Sequence, residues 1–209
     1  MEEPLENARV RGFLHEPDEP SGNAIALTHG AGSNCSAPLL VRLARAFEEN
    51  GWLVLRYDLP FRRERASGPP RPAGAERDRE GVKRAVEELR KRSGGKVWAG
   101  GASYGGRQTA MKAAEDRALA DGLLLLSYPL HPPGKAEQKR TAFFPELRIP
   151  ALFVSGTSDP FGSPEELREA VALIPARTDV LLVEGAGHDL RRGADLASDM
   201  LTRLHALVV

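Results

Sequence analysis

Six short apolar runs, separated by segments with helical periodicity, constrain the fold of this chain more than any other feature. The runs are almost continuously apolar, as expected for parallel strands that are covered on both faces. Strand and helix alternate along the chain, which predicts an α/β fold with a mostly parallel sheet of about six to seven strands, helices on both faces and no large lid. The runs are Ala24–His29, Trp52–Asp58, Lys96–Gly101, Gly122–Ser127, Ala151–Gly156 and Val180–Gly185.

The rest of the chain fits one domain over residues 1–209. "VRGFLHE" near the start could add an edge strand. Two segments depart from the alternation: residues 62–74 are rich in Arg, Pro and Gly and should form a loop, and residues 128–150 are interrupted by prolines and have room for a short helix at most. No linker is long enough to divide the chain.

Charge and cysteine content limit the classes of partner. The 29 basic and 29 acidic residues balance, so no global field favours nucleic acid or acidic membranes. Cys35 is the single cysteine and cannot form an intrachain disulfide, which favours a reducing compartment. The acidic start lacks the apolar region of a signal peptide, and no apolar run approaches the roughly 20 residues that span a bilayer. We expect a cytoplasmic protein with no membrane or nucleic-acid partner.

The stretch "GGASYGGR" places one serine, Ser103, among four glycines, after an apolar run and before a plausible helix. Residues 101–105 match the pattern G-x-S-x-G in the strand–turn–helix context of a nucleophile elbow. The small neighbours allow a turn so tight that the serine hydroxyl stands clear at the end of the strand. The alternative is a chance match in a Gly-rich connection, which the flanking strand and helix make less plausible.

A serine hydroxyl needs a base to become a good nucleophile. In this architecture the acid and the histidine follow the serine along the chain, on loops after later strands. Asp159 follows one predicted strand and His188 follows the next, so Ser103, Asp159 and His188 are the predicted catalytic residues. Asp189 and Glu184 also lie near His188, and Asp159 before a proline could be only a turn residue.

Acyl transfer also needs donors for the oxygen of the tetrahedral intermediate. One is expected from the backbone N–H of Tyr104, directly after the nucleophile. For the second we predict the N–H of Ala31, in the loop "THGAGS" after the first core strand. His29 in this loop is expected to form structural hydrogen bonds.

Several other residues have expected roles in the cleft or in the surrounding loops. Tyr128, His131 and Phe143 could line the substrate cleft, although core packing is equally plausible for Tyr128 and Phe143, and His131 lies in a Pro-rich loop. The arginines of residues 62–74 could anchor an acidic group, but a solvated surface loop is the favoured interpretation. Arg107 is expected to brace loops. The sequence contains no cluster of metal ligands and no dinucleotide fingerprint, so no metal or cofactor is expected.

With these motifs in place, the chain resembles the α/β-hydrolase superfamily, in its small dienelactone-hydrolase-like branch. More narrowly, "LSYPLHPPGK" followed by "IPALFVSGTSDPFGSPEEL" resembles the hydrolase-like family of testis-expressed protein 30, which includes a subunit of the non-specific-lethal complex. The resemblance implies an α/β-hydrolase fold and a hydrolase. It also warns that this fold can serve as an interaction module. Dienelactone hydrolases commonly carry cysteine where this chain has Ser103, so lactone substrates are not implied.

Three functional hypotheses follow, of which the third, a peptidase, usually comes with a cap or propeller domain that this sequence does not show. The first is a serine hydrolase that cleaves a small carboxylic ester or thioester through an acyl-enzyme on Ser103. The second is a non-catalytic module that keeps the fold for protein binding, against which the presence of all three triad residue types argues. The absence of a large lid favours small esters over long-chain triglycerides. The sequence predicts neither the acyl group nor the oligomeric state.

Overall fold

The computed structural model describes residues 2–191 and 196–208. Its strands form one sheet of eight strands in the order β1-β2-β4-β3-β5-β6-β7-β8. The six strands from β3 to β8 are parallel to one another, whereas β2 runs antiparallel to both β1 and β4. The strands are β1 Glu2–Glu6, β2 Arg11–His15, β3 Ala24–Thr28, β4 Leu53–Tyr57, β5 Val97–Ala102, β6 Gly122–Leu126, β7 Ala151–Gly156 and β8 Thr178–Val183.

The predicted class is confirmed, and all six apolar runs are strands of the parallel part of the sheet. The sheet has eight strands, however, and not six to seven. The edge strand expected from "VRGFLHE" is β2. The missed strand is β1, whose sequence "EEPLE" is almost fully exposed and has no apolar face that a pattern search could detect.

Helices cover both faces of the sheet. The strands alternate their side chains between two apolar layers: one packs against α3, α4 and α5, and the other against α1 and α6. Neighbouring residues of β6 show this alternation, since Leu125 joins the first layer and Leu126 the second. The helices are α1 Pro38–Glu49, α2 Pro60–Glu64, α3 Ala75–Arg90, α4 Tyr104–Glu115, α5 Pro164–Val171 and α6 Leu196–Val208.

The helix starts follow local chemistry. Pro38 and Pro164 stand in the first turns of α1 and α5, where the missing N–H costs no hydrogen bond. Ser163 caps α5 in a reciprocal capping box with Glu166. The prediction that residues 62–74 form a loop is wrong at both ends of this segment. Helix α2 includes residues 62–64, and a single 3₁₀ turn covers Pro72–Gly74.

The segment between β6 and β7 contains one 3₁₀ turn, Phe144–Glu146, as its regular structure. It packs against α4, so no separate cap rises over the carboxyl edge of the sheet in the described residues. None of the helices in residues 2–191 and 196–208 combines the length and apolar character needed to cross a bilayer.

Candidate active site

Ser103 lies between β5 and α4 with a backbone conformation that few residues other than glycine adopt, φ 50° and ψ −116°. Its N–H donates to the carbonyl of Leu126 on β6, and its own carbonyl accepts the N–H of Arg107 in α4. The strained residue is therefore held from both sides. Such strain costs on the order of 1–3 kcal/mol and persists only where the surroundings impose it.

The glycines around Ser103 are required by close backbone packing. A Cβ on Gly105 would stand 2.4 Å from the carbonyl oxygen of His29, and one on Gly101 would stand 2.8 Å from that of Thr28. Real Cβ atoms do not approach oxygens so closely. A side chain at either position would push the turn away from β3, so the elbow needs glycine two residues before and two residues after the serine.

Ser103, His188 and Asp159 form a continuous chain of hydrogen bonds, although they come from three separate loops. The Ser103 hydroxyl lies 2.8 Å from Nε2 of His188. Nδ1 of His188 lies 2.8 Å and 3.0 Å from the two carboxylate oxygens of Asp159. The Asp159 side chain is 1% exposed and the His188 side chain 27% exposed. The carboxylate is thus shielded while the imidazole can reach a ligand.

Phe161, which sequence reasoning missed, supports the imidazole. Its ring lies with its centroid 4.2 Å from that of His188, at an interplanar angle of 32°. Its N–H also donates to Oδ1 of Asp159 at 2.9 Å. Phe161 therefore fixes the Asp159 carboxylate and covers the His188 imidazole. Its place two residues after Asp159 in "SDPFG" is the only sequence signal, and it is not distinctive.

The buried side chain of His29 holds the loop that carries Ala31. Nδ1 of His29 lies 2.9 Å from the Gly30 carbonyl, and its Nε2 accepts the N–H of Leu59. Burial lowers the pKa of His29, which keeps this ring neutral and able to accept that bond. Its contacts are those of a structural hydrogen-bonder, as the sequence suggested.

Arg62 is the second residue that holds this loop. The sequence predicted a solvated surface loop for residues 62–74, but the Arg62 side chain is buried. Its guanidinium donates to four backbone carbonyls at 2.7–3.1 Å. Two of them belong to the loop before α1 and two to the segment after α2. One planar side chain therefore ties both loops together. The carbonyls are those of Ala31, Ser33, Arg65 and Gly68.

Tyr104 is anchored through its side chain. Its hydroxyl donates to Oδ2 of Asp78 on α3 at 2.7 Å, and Oδ1 of Asp78 accepts the N–H of Phe61. The Tyr104 N–H belongs to the first turn of α4, whose N–H groups have no acceptor within the helix. The structure therefore leaves the Tyr104 N–H at a helix N-terminus, beside the Ser103 hydroxyl, where negative charge is favoured.

The predicted cleft residues have different surroundings. Tyr128 is buried among aromatic rings and donates its hydroxyl to the Arg140 carbonyl at 2.7 Å. The buried ring of His131 contacts the Pro132 carbonyl through Nδ1 and approaches Glu166 through Nε2, so scaffold groups occupy both nitrogens. Phe143 is half-buried against Phe144. A role for these three residues toward substrate stays a prediction.

Other features of the surface do not suggest a second reaction centre. Over residues 2–191 and 196–208 no group of three or more His, Cys, Asp or Glu side chains could hold a metal ion. A groove of about 670 Å³ between the first hairpin and α3 includes neither Ser103 nor His188 in its walls. Four arginines and four glutamates line it, so their charges cancel.

A mostly parallel sheet with a strained serine after its central strand β5, and with an acid and a histidine after β7 and β8, is an α/β-hydrolase fold. The sequence agrees: residues 21–206 match the family described as an alpha/beta hydrolase domain, and the chain belongs to that family. One curated relative, polyketide synthase ThaQ of Burkholderia thailandensis, is 46% identical over 48 residues. That match covers 23% of this chain and 2% of the synthase.

Solved structures share the fold along nearly the whole chain. Dienelactone hydrolase from Anabaena variabilis has a TM-score of 0.76 at 17% identity, and the match covers 99% of this chain and 96% of the other. TT1662 from Thermus thermophilus has a TM-score of 0.76 at 21% identity, covering 100% and 98%. XC6422 from Xanthomonas campestris, described as an α/β serine hydrolase without a lid, has a TM-score of 0.74 at 16% identity, covering 100% and 93%.

Proposed function

We propose that this protein is a serine hydrolase that cleaves the carboxylic ester or thioester of a small substrate through an acyl-enzyme on Ser103. The observation that carries the proposal is the hydrogen-bonded series from Ser103 through His188 to the shielded Asp159, at 2.8 Å for each of its shortest bonds. Such a series gives a hydroxyl a base and gives the base an orienting carboxylate.

Acylation begins when the Ser103 oxygen attacks the carbonyl carbon and its proton passes to Nε2 of His188. Asp159 stabilises the imidazolium and keeps its Nδ1–H directed at the carboxylate. The carbonyl oxygen becomes an oxyanion, which accepts hydrogen bonds from the N–H groups of Tyr104 and Ala31. Each such donor contributes about 3 kcal/mol to lowering the barrier in serine hydrolases.

Collapse of this intermediate breaks the bond to the alcohol or thiol, which takes the proton from His188 as it leaves. Water then attacks the acyl group on Ser103 and gives a proton to the same nitrogen. When the second intermediate collapses, the carboxylic acid departs and the proton returns to the serine oxygen. No cofactor is needed to balance either half of this cycle.

The narrower kinship with the hydrolase-like family of testis-expressed protein 30 is also a proposal, carried by the motifs between residues 126 and 167. The open carboxyl edge of the sheet favours short substrates over long-chain lipids. No observation in the described residues favours the non-catalytic alternative, since a binding module does not need an aligned serine, histidine and aspartate.

A fluorophosphonate probe and short p-nitrophenyl esters test the proposal. We expect the probe to label Ser103 and the esters to be hydrolysed. Ser103→Ala should abolish labelling and lower kcat by about 10⁴-fold or more, with its thermal unfolding close to that of the wild type. A folded wild-type protein that neither takes up the probe nor cleaves any ester would refute the proposal.

A further inference from the structure

Two half-buried arginines, Arg107 and Arg140, have no ion pair with a carboxylate among the residues that the structure describes. Arg107 follows the nucleophile by one helical turn, and its N–H donates to the Ser103 carbonyl oxygen at 2.9 Å. Side chains on a helix lean toward its N-terminus. The Arg107 side chain also hydrogen-bonds the hydroxyl of Tyr128, a residue just past the carboxyl end of β6, so its guanidinium lies toward the edge of the sheet that carries Ser103.

The segment after β6 brings Arg140 to the same end. The N–H of Arg140 donates to the Leu130 carbonyl, and the Arg140 carbonyl accepts the hydroxyl of Tyr128, both at 2.7 Å. Tyr128 packs in the same apolar layer as Ala110, which follows Arg107 by three residues on one face of α4. Burial raises the pKa of Tyr128, and the charges of Arg107 and Arg140 both oppose that rise. Both guanidiniums thus lie within electrostatic reach of one hydroxyl oxygen.

Apart from the hydrogen bond between the Arg107 side chain and the Tyr128 hydroxyl, two buried polar atoms at this place lack partners among the described residues. Nε of Arg107 is buried and forms no hydrogen bond within the described structure, and the buried hydroxyl of Ser127, directly before Tyr128, is unpaired there as well. Nη1 of Arg140 approaches the Pro129 carbonyl at 3.5 Å, which is too long for a strong bond. Burial and the adjacent charge of Arg107 lower the pKa of Arg140. An anion bound here would relieve the repulsion and pair the free donors.

We propose that Arg107 and Arg140 form a subsite for a carboxylate on the acyl part of the substrate. This inference rests on the proposed hydrolase function and narrows its substrate class to monoesters or monothioesters of short dicarboxylic acids. The planar guanidinium matches a carboxylate with two parallel hydrogen bonds. Arg107 follows Ser103 by one helical turn, a rise of about 5–6 Å between their backbones, so we expect the second carboxylate only a few bonds from the reacting carbonyl.

The test compares kcat/KM for the p-nitrophenyl monoester of glutaric acid with that for p-nitrophenyl butyrate. We expect the wild type to prefer the anionic ester by about tenfold or more. Arg107→Gln and Arg140→Gln should each lower this preference by about tenfold, which corresponds to about 1.4 kcal/mol for the loss of a hydrogen bond to a charged group. Arg140→Lys keeps the charge but loses the planar fork, so its preference for the anionic ester should lie between that of the glutamine variants and that of the wild type.

Arg148→Gln is the matched control, because the side chain of this exposed arginine of the same segment forms its one hydrogen bond within the described residues with the Pro145 carbonyl. It should keep the full preference. An equal preference in the wild type and in both glutamine variants would overturn the subsite. A preference for 4-acetoxybenzoate over 4-acetoxybenzamide, with none for the glutarate ester, would also overturn it, because the charge would then be recognised on the leaving group.

A second measurement separates this inference from the hydrolase proposal. Glutarate itself is titrated into folded protein, and binding is followed by chemical-shift changes in NMR spectra. Binding that is lost in Arg107→Gln and Arg140→Gln would support the subsite even if no ester were cleaved, which would refute only the hydrolase proposal. Absence of glutarate binding together with cleavage of neutral esters alone would refute the subsite and leave the hydrolase proposal standing.

Discussion

Replacing Arg62 tests whether the loop that carries Ala31 depends on one buried cation. Arg62 is 4% exposed, and its guanidinium holds four backbone carbonyls at 2.7–3.1 Å. Arg62→Met keeps most of the apolar stem but removes every one of these donors. Arg62→Lys keeps the charge, yet one ammonium cannot reach carbonyls that surround a planar fork.

The size of the effect follows from those bonds. At about 1.5 kcal/mol each, the lower value for bonds to a charged group, four bonds would contribute about 6 kcal/mol. Burying the guanidinium offsets a few kcal/mol of this. We therefore expect Arg62→Met to lower the free energy of unfolding by about 3 kcal/mol and Arg62→Lys by somewhat less. If the freed loop misplaces the Ala31 N–H, kcat should fall by about 10²-fold or more, the effect of one lost oxyanion donor.

Urea unfolding gives the stability, and esterase kinetics with the rate of fluorophosphonate labelling give the catalytic effect. Arg63→Lys is the control, because the neighbouring Arg63 bonds carbonyls of the first hairpin at Asn7 and Ala8 instead. It should change kcat by less than about twofold. An Arg62→Met protein with unchanged labelling rate and stability within about 0.5 kcal/mol of the wild type would refute the argument.

Three further outcomes are expected. Gly105→Ala should strongly slow fluorophosphonate labelling, because its Cβ would stand 2.4 Å from the His29 carbonyl oxygen. Gly94→Ala is the control and should not slow labelling, because the space around its Cβ is open. Equal labelling rates for the two variants would contradict the steric argument. Burial raises the pKa of the Cys35 thiol to about 12, so native protein at pH 8 should react with Ellman's reagent far more slowly than unfolded protein, and rapid native reaction would be inconsistent with that pKa. Burial also raises the pKa of Asp78, so its protonated form stabilises the fold below about pH 4 and this contribution is lost as the pH rises through the raised value. Urea unfolding should therefore show Asp78→Asn gaining stability relative to the wild type as the pH rises through this raised pKa, and parallel pH curves for the two proteins would count against the prediction.

Features with a local physical signature could be predicted from the sequence. The buried parallel strands show as apolar runs, and the elbow at Ser103 shows as glycine spacing. The acid and base positions follow from strand order, because the carboxyl ends of parallel strands meet at one edge of the sheet. The structure does bring Asp159 and His188 together with Ser103 there.

The rest depends on contacts between distant segments. Phe161 stacks on His188 from a loop 27 residues earlier, and no periodicity marks such a pair. Arg62 lies in an Arg- and Pro-rich stretch that is typical of solvated loops, yet its side chain turns inward to four carbonyls. The strand β1 escaped detection because its pairing with β2, and not its own composition, makes it a strand.

That first strand also governs how the sheet meets other molecules. Glu3 and Glu6 place exposed negative charge along the open border, whereas Glu2 is paired with Arg56, and Pro4 has no N–H to offer to an added strand. Two copies that approached border to border would repel each other and find an incomplete ladder. The border thus disfavours extension of the sheet from molecule to molecule, the route by which exposed strands start fibres.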